Sequence, residues 1–234
     1  MLPVLIGIVL ITAVVLIFLG RPRRFYLVRH GETLLNAQHI RQGEVGALSE
    51  TGRLQAGMVG RYLKNFPIDL IISSTYSRAE ETAAIVNTYL KVPIISSSLF
   101  TERRNPSEII GKSTKDPEVI HIVDQMDLAY HADNYRISDE ENFIDLKARA
   151  ALCVKFLIRQ RAREVVVITH HLFLKMFIAY VLYREKLHAA DFVKLTFFNT
   201  SDNAGITVCE FHPWKFFSKT QGWEVVSFNE QPEV

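Results

Sequence analysis

The chain has 234 residues, with 27 Lys and Arg against 25 Asp and Glu, for a net charge of +2 and a pI near 8.5. That length suits one α/β domain with a full-sized core and is too short for two. The cations are scattered and form no basic stripe interleaved with aromatics, so no nucleic acid partner is expected, and two cysteines, Cys153 and Cys209, offer neither a disulfide framework nor metal-ligand spacing.

Residues 2–20 carry no charge and are mostly Leu, Ile, Val or Phe. As a helix rising about 1.5 Å per residue they would span about 28 Å, the thickness of a bilayer core, so one N-terminal transmembrane helix is expected. A cleaved signal peptide is the rival reading, but no Lys or Arg precedes the run, and Phe18 and Leu19 sit where small residues belong. Arg21, Arg23 and Arg24 follow at once, which by the positive-inside rule keeps that flank and the following domain cytoplasmic. The expected division is an anchor with a basic flank over 1–23 and a catalytic domain over 24–234.

Apolar strands are predicted near 25–29, 69–73 and 165–169, with a weaker one near 93–97. Helical patterns lie near 50–65, 78–90, 142–160 and 171–184. Ser77 with Glu80 has the form of a capping box, which puts Arg78 in the first turn of a helix, where anions bind. The stretch 100–141 is polar and irregular, broken by Asn105-Pro106 and Asp116-Pro117, and is expected to be a lid insertion. Residues 192–198, 204–211 and 223–228 read as strands. The alternation predicts a three-layer α/β fold, a mostly parallel central sheet with helices on both faces, and ligands bind outside the carboxyl ends of such strands. His30 and His170 both fall at such ends.

Leu27-Val28-Arg29-His30-Gly31-Glu32-Thr33, directly after the first predicted strand, carries the chemistry. Arg29 is a planar cationic fork suited to phosphoryl oxygens, His30 a nucleophile neutral near pH 7, and Gly31 a point of close backbone approach to a ligand. Three further strings follow in order: Leu48-Ser49-Glu50-Thr51-Gly52 with Gln55-Ala56, Ser77-Arg78-Ala79 with Thr82-Ala83, and Val166-Val167-Ile168-Thr169-His170. Together they resemble the histidine phosphatase superfamily, which includes the cofactor-dependent phosphoglycerate mutases, over roughly residues 24 to 210.

The resemblance implies a phosphoglycerate mutase-like fold and acid-type phosphomonoester hydrolysis of a small phosphorylated substrate, with no cofactor and no metal. His30 would become phosphohistidine, Arg29 and Arg78 would clamp the phosphoryl oxygens, and His170 would donate a hydrogen bond to the transferring group. Glu102 is the candidate general acid and base, with Glu108 as rival in the same loop; burial beside phosphate would raise the pKa of such an acid. Asn36, Gln42 and Gly43 match positions that line the phosphate pocket. Asn203 also matches a position near the site, although a turn explains an Asn before Ala-Gly as well, and Glu141 and Arg149 fit a structural role. Where the family usually has Gly after the second histidine, this chain has His171, which narrows the pocket or adds a proton donor. Two alternatives stay open. One is mutase-type phosphoryl transfer, against which Glu102-Arg103-Arg104-Asn105-Pro106 stands where the mutases carry a different string. The other is a membrane-tethered module that binds a phospholigand without turnover.

Overall fold

The computed structural model describes residues 20–128, 132–195 and 201–232. The centre is one six-stranded sheet in the order β3-β2-β4-β1-β5-β6. Strands β1 (Arg23–Arg29), β2 (Leu70–Ser73), β3 (Ile94–Ser96) and β4 (Glu164–Thr169) run parallel, and β5 (Ile206–Phe211) and β6 (Trp223–Glu230) pair antiparallel along the β1 edge. The sheet is mixed rather than all parallel. Its register sets Arg29 beside Thr169 at the carboxyl ends of β1 and β4.

Alternation along β1 divides the core. Phe25 and Leu27 face one side with helices α5 (Phe143–Arg159) and α6 (His171–Tyr183), whereas Tyr26 and Val28 face the other with α2 (Glu50–Leu63) and α3 (Ser77–Leu90). All four β1 side chains are buried, each worth about 1.5–3 kcal/mol of apolar transfer. Cys153 and Cys209 are buried and free. A one-turn α1 (Leu34–Ala37) follows the β1 loop, with Thr33 and Asn36 closing a capping box.

Three predicted features are corrected. Helix α4 (Pro117–Leu128) lies inside the stretch read as irregular: Asp116 and Pro117 open a helix, Pro at a first-turn position and the Asp116 carboxylate accepting from Glu118 N–H. Helix α7 (Ala189–Lys194) covers the start of the predicted 192–198 strand; Ala189 and Phe192, one turn apart, are both buried, so the apolar run follows helical spacing there, and 196–200 lie outside the described residues. The Ser77–Glu80 capping box is not made. Tyr76 is the N-cap without a side-chain bond, and the Ser77 hydroxyl instead donates to Gly46 carbonyl and accepts from Gly46 N–H. Arg78 is nonetheless in the first turn of α3.

Strand β1 begins at Arg23, so two of the three flanking arginines belong to the domain rather than to a linker. Arg24 pairs with Glu210 and Arg23 donates to the Ile158 carbonyl. Among the described residues no helix is long and apolar enough to cross a membrane; residues 2–19 of the apolar run lie outside them.

Candidate active site

The loop leaving β1 is fixed by backbone contact. A Cβ on Gly31 would meet Gly52 carbonyl oxygen at 2.4 Å, and one on Gly52 would meet Glu32 carbonyl oxygen at 2.0 Å; with backbone on both sides neither clash can be relieved by a rotamer. The close approach seen at Gly31 is made to the backbone of α2. The Leu48–Gln55 string completes this clamp: Ser49 hydroxyl accepts from Gly52 N–H as N-cap and donates to the Glu32 carboxylate, and Gln55 accepts from Glu32 N–H. Thr82 does the same from α3, accepting from Gly31 N–H and donating to Arg78 carbonyl.

These contacts hold His30 at 4 % exposure. Its Nδ1 lies 2.7 Å from the Gly31 carbonyl, and since a carbonyl only accepts, Nδ1 carries the proton. Nε2 accepts from Arg78 Nε at 3.2 Å. Burial, with Arg78 and Arg29 nearby, pushes the His30 pKa well below its ordinary value. The ring is a neutral imidazole with one assigned lone pair, on Nε2.

Arg78 is buried and Arg29 half-buried, and desolvation lowers the pKa of both. Arg78 donates to Gly43 carbonyl at 2.8 Å and lies over the Tyr76 ring, while Arg29 donates to Ser201 carbonyl. Among the described residues neither makes an ion pair with a carboxylate. Two largely desolvated cations held by carbonyls are arranged for an anion.

Arg29, His30, Arg78, Glu102, Asn36, Gln42 and His171 line one cleft of about 290 Å³. Gly43 is not part of the lining and acts through its carbonyl on Arg78. Glu108 is exposed and also outside the lining. Glu102 accepts from Leu172 and Phe173 N–H at the start of α6, and from Arg103 N–H, so the helix end fixes its carboxyl where it lines the cleft. The segment carrying it is held by Arg149, which pairs with Glu141 at 2.6 Å, donates to the Leu99 and Thr101 carbonyls and stacks on Phe173.

His170 is fully buried, its ring centroid 5.0 Å from that of His30. Desolvation first, then His30 and Arg78, pushes its pKa well below the ordinary value. Ser74, at the end of β2, explains its orientation. The Ser74 hydroxyl oxygen accepts from Tyr76 N–H at 3.2 Å and lies 2.8 Å from His170 Nε2, while among the described residues Nδ1 has no partner. Asn203 sits in a turn, as expected, and also donates to the His30 carbonyl at 3.0 Å. His171 contacts the Ser201 hydroxyl and borders the cleft beside Arg29.

Sequence reading missed Ser74, Tyr76 and the cleft-lining Arg41, Asn105 and Thr114. Segments 39–41 and 111–114 are stitched together by Arg41 N–H to Lys112 carbonyl, Gly111 N–H to Arg41 carbonyl and Thr114 N–H to His39 carbonyl. Among the described residues no group of three or more His, Cys, Asp or Glu side chains could hold a metal ion.

The chain is 46 % identical over 78 residues to the uncharacterized phosphatase PhoE of Bacillus subtilis, 33 % of this chain and 40 % of that one. It is 36 % identical over 116 residues to a probable phosphatase of Schizosaccharomyces pombe, 48 % of this chain and 51 % of that one. It thus spans about half or less of the length of these curated relatives. In fold it is similar to a mycobacterial glucosyl-3-phosphoglycerate phosphatase solved with VO3, with a TM-score of 0.73 and 24 % identity over 88 % of this chain and 99 % of that one. Residues 25–224 match the histidine phosphatase superfamily (branch 1), and the chain belongs to it.

Proposed function

We propose that the chain hydrolyses phosphomonoesters through a phosphohistidine formed on His30 Nε2. The observation that carries this reading is the single lone pair on a neutral His30, which meets Arg78 Nε and shares its cleft with the Arg29 guanidinium. In the first step Nε2 attacks phosphorus and the ester P–O bond breaks. Glu102 gives its proton to the departing alkoxide, while Arg29, Arg78 and His170 Nδ1–H stabilise the charge on the phosphoryl oxygens. In the second step water attacks phosphorus, Glu102 takes the water proton, the P–N bond breaks and inorganic phosphate leaves. Asn36 and Gln42 complete the anion's hydrogen bonds. Asn105 and Thr114, from the 100–141 stretch, act as the lid over the leaving group.

The test is covalent trapping. Acid-labile, base-stable phosphate should appear on the chain during turnover of a labelled ester and be absent from His30→Ala, which should lose essentially all activity, at least about 10³-fold. More than a few per cent residual turnover in a folded His30→Ala protein would sink the assignment.

The run 2–20 is read as a single-pass anchor with the catalytic domain on the cytoplasmic side, supported by its length, its lack of charge and the arginines that follow it. Retention of the full chain in membranes through a carbonate wash tests it. Release by the wash, or a mature chain beginning after residue 20, would overturn it.

A further inference from the structure

The end of the sheet opposite the cleft has its own chemistry. The segment joining β5 to β6 reads His-Pro-Trp-Lys-Phe-Phe-Ser-Lys over 212–219. Trp214 is 54 %, Phe216 63 % and Phe217 96 % exposed. Three large aromatics on one short loop exceed the ordinary scatter of surface apolar residues. Because Phe211 pairs with Arg23, this loop stands where β1 begins. Gly20 lies against it: a Cβ there would sit 3.7 Å from the Trp214 ring. The point at which the uncharged 2–20 run joins the domain is therefore also the point at which the aromatics emerge.

Cations surround the aromatics. Arg24 N–H donates to Arg163 carbonyl, which brings the turn before β4, with exposed Arg159 and Arg161, to the same end. Lys219 and Lys215, the latter paired with Glu224, stand on the loop itself, and Arg21 flanks it. The acids here are engaged or turned to the backbone: Glu210 with Arg24 and His212, Glu224 with Lys215 and His212, Asp69 with Arg163 and Glu164 N–H, and Glu164 with Tyr26.

We infer that this end of the domain is a second membrane contact, with Trp214, Phe216 and Phe217 seated in the headgroup region of an anionic bilayer and the surrounding arginines and lysines on its phosphates. The inference rests on reading residues 2–20 as the anchor. Aromatics with a polar rim of Lys and Arg suit an interface that is apolar on one side and anionic on the other. An apolar segment of the chain folded back on the same face would match the aromatics but not the cations. The cleft, at the opposite ends of β1 and β4, then opens away from the lipid.

Trp214 is its own probe, since the chain's other tryptophan, Trp223, is buried at 1 % exposure against Phe25 and Phe177. The full chain is reconstituted into phosphatidylcholine–phosphatidylglycerol vesicles with brominated acyl chains. Trp214 emission should shift to the blue and be quenched, Trp214→Phe should remove the quenchable component, and a Phe216→Ser/Phe217→Ser variant should lose most of the quenching. That variant should keep its turnover of a soluble ester and its resistance to carbonate. A chain that resists carbonate while Trp214 stays unquenched overturns the inference and leaves the anchor standing. Blue-shifted emission insensitive to bromine, the mark of cover by residues 2–20 or a second copy, overturns it too. Release by carbonate with no quenching overturns both.

Discussion

The two ends of β1 each present arginine, and they use it in opposite ways. At the leading end Arg24 meets Glu210 and stays half exposed, and Arg23 caps the last turn of α5 through the Ile158 carbonyl. At the trailing end Arg29, half-buried, and Arg78, buried over the Tyr76 ring, donate to carbonyls, and among the described residues neither makes an ion pair with a carboxylate. Position along the strand decides which arginine is structural. Where a carboxylate closes an ion pair the cation holds the fold; where Glu102 acts only from a distance across the cleft, the cation is, on the proposed reading, kept for a ligand.

The sharpest way to break this comparison is to remove one arginine from each end. Arg78→Ala should lower kcat/KM by about 10²–10³-fold, about 2.7–4 kcal/mol of transition-state stabilisation, with stability unchanged or slightly raised because an unpaired buried charge is gone. Arg24→Ala should cost about 0.5–1 kcal/mol of stability, the scale of a partly exposed pair, and leave kcat/KM within about twofold. Steady-state kinetics and urea unfolding of both variants check it; equal losses of activity would erase the distinction.

Glu102→Gln sharpens the same contrast from the leaving-group side. Turnover of an alkyl phosphate should fall about 100-fold, whereas that of a nitrophenyl phosphate should fall much less, since a good leaving group needs no proton. Equal slowing of the two would remove Glu102 from the role of acid.

The Ser74 hydroxyl offers a smaller test. Ser74→Ala should reduce kcat about tenfold, roughly the 1.4 kcal/mol of one ordering hydrogen bond, with KM nearly unchanged, and Ser74→Thr should restore most of it. A variant with full kcat, or one in which only KM changes, would show that the His170 tautomer does not depend on this contact.

Stability against pH gives the mildest effect. His30 and His170 stay neutral in the folded protein to well below their ordinary pKa, whereas unfolded they take up protons below about 6.5. The unfolded chain then binds more protons, so stability falls as pH drops below about 6.5, by up to about 1.4 kcal/mol per pH unit for each ring. Urea unfolding in phosphate-free buffer at pH 7.5 and 5.5 should show the loss, and His30→Gln should make it shallower. A loss as steep in His30→Gln as in the parent would place the titrating groups elsewhere.

What the sequence made legible is what local spacing encodes. The four parallel strands and the main helices follow from apolar periodicity, and His30 and His170 at strand ends follow with them, whereas the grouping of Arg29, Arg78 and Glu102 around His30 comes from the family resemblance. Ser74 and Tyr76 were hidden because their relevance appears only when β2 is laid beside β4, with Ser74 and His170 96 positions apart in sequence. Asp116-Pro117 was misread because the same dipeptide that ends one helix starts another. The Ser77 box was misread because Gly46, distant in sequence, competes for the hydroxyl and wins. Composition alone could not separate the 192–198 run from a strand, since short apolar runs fit both periods.

The interlocked glycines at positions 31 and 52 bear on how product departs. With the His30 loop pressed backbone to backbone on α2 and tied to α3 by Thr82, the floor of the cleft has no joint and must travel with the sheet as one body. The roof is built differently, from the 39–41 and 111–114 segments, joined to each other by three backbone hydrogen bonds. On the reading proposed above, the part of the cleft free to yield when phosphate leaves is this roof rather than the nucleophile's loop.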